Sequence, residues 1–169
     1  MSARRGRAAR VLSGVAFAAL VTGAGAERDG CGARRVPVAV VRAGSQCGAA
    51  TGPAVSLVTT VEGWRAAYAS PALGGGDEAA PVDFAKDAVV LISMGERPTG
   101  GHAVELLRKE AAVQDGVARV QVALRAPAKG ALVTQALTRP CLALSVPREG
   151  IRAVEVVDER GAVVARTGR

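Results

Sequence analysis

Short apolar segments, separated by glycine, proline and Asp-Gly turns, run through most of the chain. The segment VVLIS, residues 89–93, has no polar residue before its final serine, which is typical of a strand buried on both faces. The segment VARVQVALRA, residues 117–126, instead alternates apolar with polar side chains, as a strand with one solvated face does. Asp115 and Gly116 stand directly before it and predict a tight hairpin.

Five further segments have the character of strands. One of them, residues 102–114, is expected to return from a glycine turn and to pair with the strand at 89–93. Another, residues 151–166, is predicted to be a hairpin that turns near Glu159 to Gly161. The remaining three are residues 36–41, 54–59 and 141–146.

One short helix is predicted between two of these strands. Thr59 and Glu62 have the spacing of a capping box, Trp64 and Tyr68 fall on one helical face, and Pro71 ends the helix. About eight strands and one helix predict an α+β, mainly β fold, an antiparallel sheet or sandwich.

The start of the chain has the features of a leader. Residues 1–26 combine a basic beginning, a short apolar segment and small residues up to Ala26, which predicts a secretory signal peptide cleaved after Ala26. A retained membrane anchor is the alternative, but the apolar segment is short for a span of about 20 residues. We therefore expect export to the periplasm or the medium without stable membrane insertion. Residues 27–35 are predicted to be a flexible lead-in to one domain over residues 36–169.

Charge and aromatic content argue against a nucleic-acid partner. The formal net charge of +7 falls to +3 once the four arginines of the leader are removed. The aromatic residues after the leader are Trp64, Tyr68 and Phe84, which is little for stacking on bases.

The cysteines suit an oxidising compartment. Cys31, Cys47 and Cys141 follow the leader, so one disulfide with one cysteine left over is favoured. We predict the pair Cys47–Cys141, because both adjoin predicted strands whereas Cys31 lies in the lead-in. The chain has no C-x-x-C pair and its one histidine is His102, so neither a metal site nor a cofactor is predicted.

The loop GERPTGGH after the buried strand is the main candidate for function. Pro98 fixes its own φ, and Gly100 and Gly101 are expected to take positive φ so that the chain reverses. Such a turn does not require Arg97, whose guanidinium suits a carboxylate of a partner; the alternative is a solvated structural turn. The candidate binding residues are Glu96, Arg97, Pro98, Thr99, Gly100, Gly101 and His102, with the nearby Thr138, Arg139 and Pro140.

The order of these motifs resembles a known family. The motifs are Asp83, Phe84 and Lys86, then GERPTGG at 95–101, Val133-Thr134-Gln135, Pro140-Cys141 and the SQCG that contains Cys47. They are similar to those of the family named for the C-terminal domain of PrcB, an accessory subunit of a protease complex. The resemblance covers about residues 82–164, and 47–68 more loosely; His102 stands where the family usually has tyrosine.

This resemblance implies an exported, non-catalytic domain, without transferring the protease partner of the family's namesake to this chain. We expect it to bind another exported protein as an accessory or assembly subunit of an extracytoplasmic complex, with a peptidase as one candidate partner. An alternative is an inhibitor resembling chagasin, since RPTGGH, PAKGA and TRPC follow the order of that family's three loops. A hydrolase is less favoured, because Ser93 and Ser145 lack the glycines of a nucleophile elbow. The candidate carboxylates Glu110, Asp115, Asp158 and Glu159 stand at predicted strand ends and turns.

Overall fold

A computed structural model describes residues 32–47, 50–68 and 81–167. The predicted leader lies outside these residues, as do Cys31 and Pro71. The described residues form ten strands and one helix, which confirms a mainly β fold. These are β1 (Arg34–Pro37), β2 (Ala39–Gly44), β3 (Ala54–Val58), α1 (Val61–Tyr68), β4 (Asp87–Ser93), β5 (Ala103–Leu106), β6 (Glu110–Gln114), β7 (Val117–Arg125), β8 (Cys141–Pro147), β9 (Ala153–Val157) and β10 (Val163–Arg166).

The smaller sheet has the strand order β2-β8-β4-β3, and every pairing in it is antiparallel. Its two central strands are the ones that the apolar segments predict. Val90 stands opposite Leu144, and Ile92 opposite Leu142. All four side chains are buried, so the β4–β8 pair forms one wall of the core.

The larger sheet has the order β1-β6-β7-β9-β10, and β5 also pairs with β7. The nine-residue β7 is long enough to pair with β6 along its first part and with β5 along its last part. Asp115 and Gly116 both have positive φ, 51° and 76°, which confirms the β6–β7 hairpin. The β9–β10 hairpin is confirmed as well, but β7 and β9 run parallel, an exception to the predicted antiparallel pairing.

The core lies between the two sheets. Side chains from β4 and β8 pack in one cluster with side chains from β7 and β9, among them the fully buried Val120, Val122, Val154 and Val156. β3 lies against β9 and β10, and β8 against β5 and β1. Because the core is built mainly from valine, leucine and alanine, it depends on the close approach of two sheets rather than on large aromatic side chains.

Two predicted strands are each divided in the structure. Residues 36–41 contribute to β1 and β2, which belong to different sheets, because the chain crosses from one sheet to the other at the buried Val38. Residues 102–114 form β5 and β6, which both pair with β7. The first strand also begins at Arg34, inside the predicted lead-in.

The helix α1 begins one residue later than the capping-box spacing suggests. The Gly63 N–H donates to Thr60 Oγ1 at 3.1 Å, so Thr60 and not Thr59 is the N-cap. The predicted packing of Trp64 with Tyr68 lies outside the described side chains. At eight residues, α1 is too short to span a membrane, and the described part of the chain has no other helix.

Replacing Leu144 with alanine should lower the free energy of unfolding by about 2–5 kcal/mol, because the fully buried side chain leaves a cavity between the sheets. Urea denaturation measures the change. The matched control is Leu132→Ala, since Leu132 is fully exposed and should change stability by less than about 0.5 kcal/mol. Equal effects of the two substitutions would contradict the packing described here.

Candidate functional site

The loop after β4 connects the two sheets. β4 lies between β8 and β3 in the smaller sheet, whereas β5 pairs with β7 in the larger sheet. The expected pairing of residues 102–114 with the strand at 89–93 is therefore wrong. Its physical reason is that both edges of β4 are already occupied, so the chain has to cross the end of the sandwich before it can form β5.

This crossing loop, residues 94–102, pairs with the long loop of residues 126–140. Arg97 and Thr138 form an antiparallel bridge in which the Arg97 N–H donates to the Thr138 carbonyl at 2.7 Å and the Thr138 N–H donates back at 2.9 Å. The Gly100 N–H donates to the Thr134 carbonyl at 2.9 Å. The Thr138 hydroxyl donates to the Thr99 carbonyl at 2.8 Å. We call these two segments the paired loops.

An ion pair and a disulfide fix the base of the paired loops. Arg139 Nη2 lies 2.7 Å from Glu96 Oε2, with about a third of each side chain exposed. The Cys47 N–H donates to the Arg139 carbonyl, and the Arg139 N–H donates to the Ser45 carbonyl. Cys47 is bonded to Cys141, with a Cα–Cα distance of 5.7 Å, as the sequence predicts. Partial burial shields the ion pair from solvent, so it holds Arg139 in place more firmly than an exposed pair would.

The glycines of the crossing loop have different roles. Gly101 has a φ of +79°, and a Cβ there would lie 3.0 Å from both Pro127 Cβ and Val133 Cγ1. Gly100 is outside the positive-φ region, and its Cβ would meet Thr134 at an ordinary 3.5 Å. The expectation of positive φ at Gly100 is therefore wrong, because the reversal occurs one residue later.

Gly95, at the start of the loop, also has a φ of +79°. A Cβ there would lie 2.6 Å from the backbone carbon of Gly52, closer than a side chain can approach. The GERPTGG sequence therefore requires glycine at its first position because the backbone of the segment before β3 passes directly against it.

Several predicted binding residues make contacts within the paired loops or are buried there. Arg97 Nη2 donates to the Met94 carbonyl at 2.9 Å, so its guanidinium turns back toward the end of β4. Thr138 and Pro140 are buried, and His102 is half-buried, with no hydrogen-bond partner for Nδ1 among the described residues. Pro98 and Gly101 are the exposed members of the predicted set.

Sequence patterns do not reveal the most exposed apolar side chains of the site. Leu132 has 103% of its reference surface exposed and Leu137 has 60%, and both belong to the paired loops. The segment LVTQAL that contains them resembles the approach to a strand, yet residues 126–137 form no strand. One feature of the sequence is consistent with their exposure: the two leucines occur between Pro127 and Pro140, in a stretch that lacks the alternation of a strand.

Elsewhere in the described residues, there is little support for a metal site or a serine nucleophile. No group of three or more histidine, cysteine, aspartate or glutamate side chains is placed to hold a metal ion in this part of the chain. Ser93, considered above as a nucleophile, accepts a hydrogen bond at Oγ from the Gly95 N–H at 3.2 Å. This contact stabilises the entry to the crossing loop.

Residues 88–147 match the family described as PrcB C-terminal. This part of the chain belongs to the PrcB C-terminal domain family. The match extends from β4 to β8, so the PrcB C-terminal region includes both of the paired loops. Comparisons with curated proteins and with solved structures return no match.

Gly101→Ala should lower the free energy of unfolding by about 1–3 kcal/mol, because alanine is strained at positive φ and its methyl group would press against Pro127 and Val133. Thermal and urea denaturation provide the measurement. Gly100→Ala is the matched neighbour and should be close to neutral. A larger loss at Gly100 than at Gly101 would show that the loop reverses elsewhere.

Removing the disulfide should loosen the paired loops as well as destabilise the fold. Cys47 and Cys141 are separated by 94 positions, so replacing both with alanine should cost about 2–4 kcal/mol. Hydrogen exchange should show a larger loss of protection at the Arg97 and Thr138 amides than in β7. The reference is a Cys31→Ala chain with the disulfide intact, and equal protection in both chains would contradict a bracing role.

Proposed function

We propose that this chain is an exported, non-catalytic protein-binding domain, an accessory or assembly subunit of an extracytoplasmic complex, and that it docks through the paired loops. The observation that carries the proposal is the exposure of Leu132 and Leu137 on loops whose backbone is held by hydrogen bonds, an ion pair and a disulfide. A single exposed leucine is ordinary on a protein surface. Two exposed leucines on loops whose backbone is held in place suit contact with a partner protein.

Bracing matters because association has an entropic cost. Loops that become ordered only on binding lose conformational freedom at that moment, which weakens affinity. The bridge between Arg97 and Thr138 joins the paired loops in the free protein. Less conformational entropy is therefore lost when a partner binds. Covering each leucine would contribute about 1.5–3 kcal/mol.

Family membership supports the choice of partner. The family is named for an accessory subunit of a protease complex, and the matched region of this chain contains the paired loops. We therefore propose an exported peptidase, or its precursor, as the partner of this surface. Pro98 is also exposed on the crossing loop, one of the two paired loops.

A chagasin-like protease inhibitor is the second candidate, favoured by one observation. The three motifs RPTGGH, PAKGA and TRPC adjoin at one end of the fold, since Gly101 lies against Pro127 and Arg97 pairs with Thr138. Two features favour the accessory role instead. The second and third motifs belong to one continuous loop, and Pro140 is buried while Cys141 is in the disulfide.

The test is recovery of the partner by variants that differ only at the surface. The tagged chain, exported by its own host and lightly cross-linked, should recover a peptidase that is lost with the double variant Leu132→Asp and Leu137→Asp. The matched control is Val163→Asp on β10. Val163 is 55% exposed, close to the 60% of Leu137, but it lies outside the paired loops.

Three results separate the possibilities. Recovery of a peptidase by the wild type and by Val163→Asp, with loss in the double variant, would support docking through the paired loops. An assay of that peptidase then distinguishes an accessory subunit, which preserves or raises activity, from an inhibitor, which lowers it. Identical recovery by all three chains would overturn the assignment of this surface.

A further inference from the structure

The outer face of the larger sheet carries a row of arginines that is separate from the paired loops. Arg35 on β1 stands opposite Ala112 on β6, and Ala112 opposite Arg119 on β7. The row continues through Glu155 on β9 to Arg166 on β10. Neighbouring strands lie about 4.8 Å apart, so the arginines recur every ~10 Å across the sheet.

A hollow of about 340 Å³ opens beside this row. Its volume is at the lower end of the range of about 300–1,000 Å³ that small-molecule sites occupy. The small side chain of Ala112 leaves room between the arginines on either side. The polar lining of this arginine hollow comprises Arg35, Arg108, Arg119, Glu110 and Gln121.

At the β5 end of the same sheet face, charges are matched closely. Arg125 lies 2.9 Å from both Glu105 and Glu159. These contacts raise the pKa of Arg125 further above its ordinary value, first through the hydrogen bond with Glu105 and then through the charge of Glu159. At this end two carboxylates offset the single guanidinium charge, so an added anion would gain little.

The arginine hollow differs in its balance of charge. Three guanidinium groups and the Glu110 carboxylate line it, with Glu110 3.9 Å from Arg35. Arg108 donates through Nε to the amide oxygen of Gln121 at 3.0 Å, not to a carboxylate of the described residues. Arg119 is held by Glu155, whose side chain is only 11% exposed and lies beneath it. Arg108 is therefore the guanidinium beside this open space whose positive charge no carboxylate of the described residues offsets.

We propose that the arginine hollow binds an oxyanion of an anionic polysaccharide, a carboxylate or a phosphate on a sugar-sized unit, and that the arginine row follows the polymer across the sheet. Guanidinium groups suit such a ligand because their planar donors contact two oxygens of one anion at once. A polymer suits the row because the cations repeat across several strands. This binding is independent of the docking proposed for the paired loops.

The experiment titrates the full exported chain with three polymers at low salt by calorimetry: an oligogalacturonate, a linear polyphosphate and neutral dextran. Arg108→Gln should weaken binding of the anionic ligand about ten-fold, the effect of losing one charge-assisted contact. Lys129→Gln is the matched control, because it removes one exposed positive charge from the paired loops instead. Arg119 is left intact, since its removal would leave the largely buried Glu155 without its partner.

Each outcome has a definite meaning. Binding of oligogalacturonate alone identifies a carboxylate ligand, and binding of polyphosphate alone identifies a phosphate ligand. Binding of both with the same Arg108 dependence supports a general oxyanion site. Equal weakening by Arg108→Gln and Lys129→Gln would show non-specific charge attraction, and absence of binding to both anionic polymers would overturn the proposal outright.

Discussion

The antiparallel ladder between β4 and β8 is the constraint on which the rest of the structure depends. It runs over seven paired positions, from Asp87 opposite Pro147 to Ser93 opposite Cys141. The same pairing direction continues beyond the strands, since the Met94 N–H donates to the Pro140 carbonyl at 2.8 Å and Arg97 then bridges to Thr138. The paired loops are thus a continuation of the central ladder, and their conformation is fixed by the register of the core.

This continuity explains the sequence of the crossing loop. The chain has to leave a fully paired strand, cross the end of the sandwich and enter the other sheet at β5. Two reversals at positive φ, Gly95 and Gly101, make that path possible. Between them Glu96 and Arg97 hold the loop to its neighbours through an ion pair and a backbone bridge. Most of the GERPTGG motif is therefore structural, and it serves binding by holding other residues in position.

The sequence predicts those features that depend on local pattern. Apolar continuity identifies β4 and β8, alternation identifies β7, and Asp115-Gly116 identifies a hairpin, because each depends on neighbours in the chain. Which strands pair is a non-local property, so the crossing from β4 to β5 and the parallel β7–β9 pair are missed. The exposure of Leu132 is missed for a similar reason. A leucine after a glycine turn resembles a strand entrance, and only the tertiary structure shows that residues 126–137 form no strand.

The two proposed surfaces depend on different physical forces, and this difference makes them separable in one protein. Docking at Leu132 and Leu137 would gain from removing apolar surface from water, which salt at moderate concentration does not weaken. Attraction at the arginine hollow acts between exposed charges, which salt screens over about 10 Å at 0.1 M. Attachment to an anionic matrix would therefore be released by salt while a bound partner stays in place. A domain with both surfaces would hold a partner protein near a polymer surface without making either contact depend on the other.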